Sequence, residues 1–187
     1  MPGHFDLLAP IYDRVIHPQP SEKLVSLIGF PSGGRLLDAA GGTGRISQFL
    51  TNRADVVVVT DLSVNMLRQA QLKDGLLTIC SANESLPFPD DAFSRIILVD
   101  AFHHLIDQKM AVRELWRVLE RGGRMIIEEP DIRAIPVKFM AIAEKLALMR
   151  SHFLPADRVA NLFPADHASI RVERDGYTAW VVADKGS

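Results

Sequence analysis

The sequence contains a single cysteine, Cys80, and this scarcity excludes two kinds of site. A disulfide within the chain and a zinc site built from several cysteines both require more than one. Long apolar runs are also absent, since none approaches the length of a membrane-spanning helix, and the first residues do not form a secretory signal. We therefore expect a cytoplasmic protein without a membrane span.

The sequence also lacks a large excess of basic or acidic residues. The chain carries 21 basic and 23 acidic side chains, for a formal net charge of −2. This balance does not favour a broad nucleic-acid-binding face, so we expect no nucleic acid partner. Hydrophobic residues, in contrast, make up 48% of the 187 residues, which is enough for one domain with a substantial core. We treat 1–187 as a single domain.

The most informative segment is the stretch 36–47, which reads LLDAAGGTGRIS. An apolar run ends in an acid, enters a tight glycine turn and continues as the start of a helix. Glycines let the chain turn sharply and let a ligand approach the main chain, as in parallel sheets that present backbone amides to a nucleotide. A second acid, Asp61, follows Gly41 by 20 residues, and its carboxylate could accept hydrogen bonds from both ribose hydroxyls. Together these features predict a nucleoside site.

The glycine loop alone also fits a plain turn, and as a dinucleotide fingerprint it has Ser47 where the third glycine belongs. The segment 38–44 instead resembles motif I of the class I S-adenosylmethionine (SAM) methyltransferases, in the variant of the ubiquinone/menaquinone-biosynthesis enzymes. Later segments are similar to those enzymes in order and spacing, namely 61–67, 84–88, 101–105 and 114–123. The resemblance covers roughly residues 5–129 and implies a SAM-dependent methyltransferase.

Strand-like runs alternate with helical patterns, which predicts an α/β fold with a parallel sheet covered on both faces. The predicted strands are Arg35–Ala39, 56–60, Leu76–Cys80, 94–99 and 124–128, and the predicted helices are 44–52, 64–73, 108–119 and 136–151. Two further β-rich runs flank the dipeptide Asp175-Gly176, which predicts a hairpin. A mostly parallel seven-stranded sheet ending in an antiparallel hairpin resembles the Rossmann-like class I methyltransferase fold.

The resemblance also implies roles for residues of the glycine loop. Ala40, Gly41, Gly42 and Gly44 would hold the methionine end of SAM. The acid at Asp38 would help to hold the amino group of the cofactor, directly or through water. Its alternative role is to cap the glycine turn.

Three segments further along would complete the nucleoside site. Asp61 would bind the ribose, or alternatively cap the next helix. Leu62 and Met66 could pack on the adenine, although both would equally suit an ordinary core. The related enzymes carry an aspartate that accepts from the adenine amine where this chain has Ala82. Ala82 and Asn83 are therefore expected to line the site, with their backbone amides in reach of the adenine ring. Ser81 or the Asn83 side-chain carbonyl could replace the aspartate.

Asp100, His103 and His104 follow the predicted fourth strand. Asp100 is expected to line the SAM site near the point of methyl transfer. The two histidines are candidate catalytic bases, since the unperturbed histidine pKa is about 6.5; the alternative is a structural hydrogen bond to the backbone. Adjacent side chains project in different directions, so we expect no metal site here.

The acceptor side is the less defined half of the site. The segment 1–33 predicts a helical cover that includes Tyr12, and the segment 132–165 predicts an apolar lid, with a core helix or a homodimer contact as alternatives. Transfer from a sulfonium requires alignment and exclusion of water more than acid–base chemistry. We expect transfer to a small apolar or aromatic acceptor. The alternative function is a SAM-binding protein without transfer activity, acting as a sensor or a partner subunit.

Overall fold

Seven β-strands form one sheet in the computed structural model, which describes residues 9, 13, 19–30, 33–146, 151–164 and 168–186. The strands are β1 (Arg35–Ala39), β2 (Val56–Asp61), β3 (Leu76–Cys80), β4 (Phe93–Val99), β5 (Leu119–Pro130), β6 (Ala168–Asp175) and β7 (Thr178–Lys185). The α-helices are α1 (Glu22–Ile28), α2 (Val64–Ala70), α3 (Gln108–Val118), α4 (Ile135–Leu146) and α5 (Ala156–Ala160). Single turns of 3-10 helix occupy Ser47–Phe49 and Phe102–His104.

The strand order is β3-β2-β1-β4-β5-β7-β6, and β7 alone runs antiparallel to its neighbours β5 and β6. The chain moves outward from β1 through β2 to β3 and then returns to the other side of β1 with β4. Ligands of open α/β sheets bind beyond the carboxyl ends of the strands at the point where this order reverses. The topology therefore places a site beyond the ends of β1 and β4.

Successive residues of the central strands pack on opposite faces of the sheet, because side chains alternate along a strand. Leu37 and Ile96 pack in one apolar cluster with residues of α3, while Leu36 and Ile97 pack in the other with residues of α1. All four side chains are fully buried. Each contributes about 1.5–3 kcal/mol of apolar burial, which explains why apolar strands in this sequence require helices on both faces.

The predicted parallel sheet and terminal hairpin are confirmed, whereas the predicted helix 44–52 is wrong. Residues 42–46 form turns, and only Ser47–Phe49 becomes helical, as a 3-10 turn. Gly42 and Gly44 both adopt a left-handed conformation, with φ of +57° and +67°, which a right-handed helix cannot contain. The few residues left before β2 are too few to sustain an α-helix by themselves.

Helix α4 covers most of the predicted helix 136–151, but it is not the core helix that was one interpretation of that segment. Val137 is 5% exposed, whereas Phe139 is 68% and Ile142 is 56% exposed. Residues 147–150 and Tyr12 lie outside the described residues. Across the described parts of the chain, no helix combines the length and apolar character needed to cross a bilayer.

Candidate functional site

A cleft opens beyond the carboxyl ends of β1, β2 and β4, where the strand order reverses. Four loops supply its walls, one after each of the first four strands. The lining residues are Asp38, Ala40, Gly41, Gly42, Arg45, Ile46, Asp61, Leu62, Met66, Ser81, Asn83, Glu84, Val99, Asp100, Ala101, His104, Leu105 and Ile106. Ten of the residues predicted from the sequence are therefore brought together, while Gly44, Ala82 and His103 do not line the cleft.

The first wall is the glycine loop, which is tied to β2 through its backbone. The amide of Gly41 donates to the Thr60 carbonyl at 3.0 Å. A Cβ at Gly41 would collide with the carboxylate of Asp38, so that acid dictates a glycine at this position. Ala40 and Asp100 also adopt left-handed conformations, with φ of +53° and +52°. Such strain costs about 1–3 kcal/mol per residue and is concentrated at functional sites.

Asp38 lies beneath this loop and is 2% exposed. Its carboxylate accepts a hydrogen bond from the Ser47 hydroxyl. Burial raises the pKa of Asp38 to about 7, although the Ser47 bond and the nearby Arg45 act in the opposite direction. The contacts with Ser47 and Gly41 support a role in holding the turn, and its place in the cleft wall is also compatible with binding a cationic group.

Asp61 ends β2 and holds two backbone amides. One carboxylate oxygen accepts from Gly42 at 3.0 Å, and the other accepts from Ser63 at 2.7 Å. Ser63 is itself the N-cap of α2, because its hydroxyl accepts from the Met66 amide at 3.1 Å. Asp61 is therefore not the cap, and an ionised carboxylate has about four acceptor positions, so two amides do not exhaust it.

The residues predicted to contact the adenine differ in their exposure. Leu62 is 61% exposed at the cleft, which leaves an apolar surface to cover, whereas Met66 is 2% exposed and forms part of the inner wall. Gly44 faces away from the cleft, since a Cβ there would lie 2.5 Å from the Leu76 side chain on β3. The role of Gly44 in this structure is thus to let the loop pack on the sheet.

The segment after β3 presents Ser81 and Asn83 to the cleft, but not Ala82. Asn83 is 4% exposed, and its side-chain carbonyl accepts from the Thr60 hydroxyl at 3.3 Å. That oxygen is consequently engaged by the protein itself. The Ser81 hydroxyl lies within hydrogen-bond distance of the Ser85 carbonyl, at 3.0 Å, and its oxygen can still accept from a ligand.

The two predicted catalytic histidines lie in different environments. His103 is 3% exposed, and its Nδ1 lies 2.5 Å from the Glu129 carboxylate. The Glu129 carboxylate also accepts a hydrogen bond from the Phe102 amide at 2.8 Å. Burial raises the pKa of Glu129, and the hydrogen bond with His103 partly offsets this effect. The Phe153 ring stacks on His103 with centroids 4.1 Å apart. These contacts favour a structural role for His103, with the Glu129 carboxylate rather than the backbone as the partner of its ring.

His104, in contrast, lines the cleft. Its Nδ1 lies 3.3 Å from the Ser151 hydroxyl. Burial lowers the pKa of His104 to about 4, and the neighbouring His103 contributes in the same direction. A neutral imidazole at physiological pH can exchange hydrogen bonds with a ligand, but it is a weak proton acceptor.

Sequence reasoning missed two charged residues of the cleft. Arg45 is 8% exposed, and its Nη2 lies 2.8 Å from a carboxylate oxygen of Asp100. Glu84 accepts the amides of Ile106 and Asp107 at 3.0 and 3.1 Å, so it joins the loop after β3 to the loop after β4. Both could have been suspected, because Arg45 directly follows the glycine loop and Glu84 begins the segment 84–88 that resembles the family.

Asp13, in the N-terminal segment, contacts the glycine loop. The Asp13 carboxylate accepts the Thr43 hydroxyl and pairs with the Lys73 ammonium, 2.6 Å away. Lys73 also donates to the Thr43 carbonyl at 2.6 Å. The N-terminal segment therefore has at least one fixed contact with the glycine loop, through residues that do not themselves line the cleft.

The donor set of the cleft fits SAM. A carboxylate at the end of β2 suits ribose hydroxyls, and apolar groups at Leu62 and Met66 suit a purine face. Carboxylates at Asp38 and Asp100 suit the cationic groups of the amino-acid and sulfonium portion.

Comparisons with known proteins agree with this chemistry. Residues 37–127 match the family model described as a methyltransferase domain. The chain is 29% identical over 180 residues to the ubiquinone/menaquinone biosynthesis C-methyltransferase UbiE of Edwardsiella ictaluri, covering 90% of this chain and 69% of that protein. It is 31% identical over 137 residues to the enzyme of the same name from Pasteurella multocida, covering 68% of this chain and 51% of that protein. The chain thus spans 69% of the length of the first relative and about half of the length of the second.

Solved structures show the same fold at lower identity. A SAM-dependent methyltransferase from Thermotoga maritima has a TM-score of 0.77 and 17% identity over 97% of both chains. Another from Aquifex aeolicus has a TM-score of 0.72 and 19% identity over 98% of this chain and 97% of that chain. From the family match, the curated relatives and the shared fold, we conclude that the chain belongs to the class I SAM-dependent methyltransferases.

Proposed function

We propose that this chain transfers the methyl group of SAM to a small apolar or aromatic acceptor that enters the cleft beside His104. The main supporting observation is that the exposed lining of the cleft includes large apolar side chains, whereas its buried lining includes the charged residues Asp38 and Arg45. Ile106 is 79% exposed and Leu62 is 61% exposed, and both line the cleft. Large apolar side chains exposed at a cleft are typical of ligand sites, because a ligand that covers them releases their hydration.

The relatives support an aromatic acceptor. Their names describe carbon methylation in ubiquinone and menaquinone biosynthesis. Methylation of a ring carbon forms a bond from that carbon to the methyl group and breaks the bond from the methyl group to sulfur, so that S-adenosylhomocysteine leaves. The methylated carbon then loses its proton to water. An electron-rich ring with hydroxyl groups is the kind of acceptor that can react in this way. His104, with its lowered pKa, would accept a hydrogen bond from such a hydroxyl and orient the ring more readily than it would remove the proton.

The segment after α4 supports enclosure of the acceptor. The His152 amide donates to the His103 carbonyl at 2.6 Å, and the Gln108 side chain donates to the His152 carbonyl at 2.7 Å. These bonds fix 151–154 against the turn that carries His104. Exposed apolar residues of α4, including Phe139 and Ile142, do not line the cleft here, and we propose that this helix closes over a bound acceptor.

The test is methyl transfer from labelled SAM to a panel of acceptors, with product mass and position of the label determined. The panel contains a hydroxylated naphthalene, a catechol, an aliphatic amine and a small carboxylic acid. We expect transfer to the aromatic members and a raised acceptor KM in Ile106→Asp, with unchanged SAM affinity.

Leu72→Asp is the matched control, because Leu72 is 78% exposed but does not line the cleft. Transfer to the amine or the acid alone would contradict an apolar acceptor. Binding of S-adenosylhomocysteine (SAH) without transfer to any acceptor would favour the alternative of a binding protein.

A further inference from the structure

Arg45 supplies the only lysine or arginine side chain among the described residues that line the cleft. The acidic side chains of the lining are more numerous: Asp38, Asp61, Glu84 and Asp100. His104 does not add a cation near neutral pH, since its pKa is lowered to about 4. The cleft therefore combines several acidic groups, of which Asp38 is only partly ionised near pH 7, with one positive group. SAM has the complementary composition, with a sulfonium and an ammonium but a single carboxylate.

The position of Arg45 matches the end of the cofactor that bears this carboxylate. Asp61 ends β2, on one side of β1, whereas Asp100 follows β4, on the other side. Arg45 is held at the β4 side through its 2.8 Å contact with Asp100. A ligand whose ribose lies at Asp61 and whose chain crosses the end of β1 brings its amino-acid end to Arg45. Without Arg45, the carboxylate would lie beside Asp38 and Asp100 with no cation among the described lining residues to pair with, which is unfavourable in a partly buried site.

The burial and the hydrogen-bond donors of the Arg45 side chain also favour this contact. Arg45 is 8% exposed, so little rotamer freedom remains to be lost when a ligand binds. A guanidinium presents five N–H donors in a planar fork and can bind two carboxylates at once. Asp100 can thus keep its contact while the cofactor is bound. A charge-assisted bond of this kind is stronger than a neutral hydrogen bond.

We propose that Arg45 binds the methionine carboxylate of SAM and makes the cleft select cofactors that carry this group, with Asp100 holding the guanidinium in position. The inference rests on the SAM-binding half of the proposed function and not on the identity of the acceptor. It predicts selectivity between two ligands that differ only in the carboxylate, namely SAM and decarboxylated SAM.

The experiment is calorimetric titration of the full chain with both ligands. The wild-type protein should bind SAM more tightly than decarboxylated SAM. Arg45→Gln should weaken SAM binding about 10- to 100-fold, the range for a hydrogen bond to a charged group, and change the affinity for decarboxylated SAM less than about threefold. Arg53→Gln is the matched control, because Arg53 is exposed on a nearby turn and does not line the cleft. It should bind both ligands as the wild type does.

If Arg45→Gln does not fold, the variant to test is Arg45→Lys, because it keeps a positive charge beside Asp100. It should lose part of the SAM affinity and none of the affinity for decarboxylated SAM. Equal losses for both ligands in either variant would overturn the proposal and give Arg45 a purely structural role. Equal affinities of the wild-type protein for the two ligands would also overturn the proposal, but the assignment of SAM as the cofactor would remain valid. A wild-type protein that bound neither ligand would remove the cofactor assignment together with the proposal.

Discussion

The backbone amide of Gly42 donates a hydrogen bond to the carboxylate of Asp61 across 3.0 Å, which joins the glycine loop to the end of β2. The residue expected to bind the ribose therefore also shapes the loop expected to bind the methionine end. Because the two halves of the site share one carboxylate, a substitution there affects both of them. Cofactor binding should in turn stabilise the folded chain by mass action.

Replacing Asp61 with alanine should weaken SAH binding by about 1–3 kcal/mol and also lower the free energy of unfolding, because two backbone amides lose a charged acceptor. Calorimetry and urea unfolding measure the two effects. Asp55→Ala is the matched control, since Asp55 accepts the Gly34 amide at 2.8 Å outside the cleft. It should lower stability without changing the affinity. Unchanged SAH affinity in folded Asp61→Ala protein would show that the ribose assignment is wrong.

The two left-handed glycines of the loop should respond differently to alanine. A Cβ at Gly44 would lie 2.5 Å from Leu76, whereas a Cβ at Gly42 would meet Asp61 at 3.8 Å and point toward the cleft. Gly44→Ala should lower the free energy of unfolding by about 1–3 kcal/mol and leave SAH affinity nearly unchanged. Gly42→Ala carries a similar backbone strain, because its φ is +57°, but it should in addition weaken SAH binding. Equal losses of SAH affinity in the two folded variants would contradict this division.

The strands were predictable because their signal is local. Uninterrupted apolar runs such as Val57–Val59 identify strands buried on both faces, and Asp175-Gly176 identifies the hairpin turn. The helix expected at 44–52 failed because its start was inferred from the end of the glycine loop, and the conformation of Gly44 depends on packing against β3.

Site residues could be predicted where their position along a strand decides whether they line the cleft. Asp38, Asp61 and Asp100 each lie within one residue of the last residue of a strand, and these strands meet at one edge of the sheet, so topology alone brings the three acids together. Whether a loop residue faces the cleft could not be predicted in the same way. The sequence does not indicate that Ala82 turns away from the cleft or that Arg45 turns into it, because both depend on contacts between distant segments, such as Arg45 with Asp100.

The raised pKa of Asp38 predicts that SAM binding releases protons. Its pKa of about 7 in the folded chain lies above the ordinary value of 3.8, so the folded chain holds a proton that the unfolded chain has lost between about pH 4 and 7. The stability contributed by this group therefore falls as pH rises through that window. A cationic ligand beside Asp38 favours the carboxylate form, and binding near pH 7 should release a fraction of a proton.

Calorimetry at pH 7 in two buffers with different ionisation enthalpies measures that release directly. Asp38→Asn keeps the shape of the side chain and should show the same binding heat in both buffers. Identical heats for the wild-type protein would show that Asp38 does not change its protonation when the cofactor binds.

His103 should prove to be a structural residue. His103→Leu removes the partner of the buried Glu129 carboxylate and the ring that stacks on Phe153. Loss of one member of a buried pair costs about 3–5 kcal/mol, so the free energy of unfolding should fall by an amount in this range. Urea unfolding provides the measurement. Normal stability combined with lost turnover would instead restore His103 as a catalytic candidate.

His104 should affect turnover and the pH dependence of stability. Its pKa of about 4 in the folded chain lies below the ordinary value of 6.5, so the folded chain binds fewer protons than the unfolded chain between these values. The contribution of His104 to stability therefore rises with pH through this window and is constant above it. Because Asp38 contributes the opposite slope, the effect is best measured in the Asp38→Asn background, by urea unfolding at pH 5 and pH 7.5.

In that background, His104→Gln should reduce the gain, or enlarge the loss, of stability between pH 5 and pH 7.5. The raised pKa of Glu129 contributes the opposite slope to both proteins, so the comparison between them isolates His104. In the otherwise wild-type protein, it should lower kcat about tenfold or more through lost orientation of the acceptor, with SAM affinity unchanged. Gln108→Glu, which alters the neighbouring bond to the His152 carbonyl without touching the cleft lining, serves as the control for a general disturbance of this turn. If His104→Gln turned over its acceptor at the wild-type rate, the imidazole would be only a wall of the cleft.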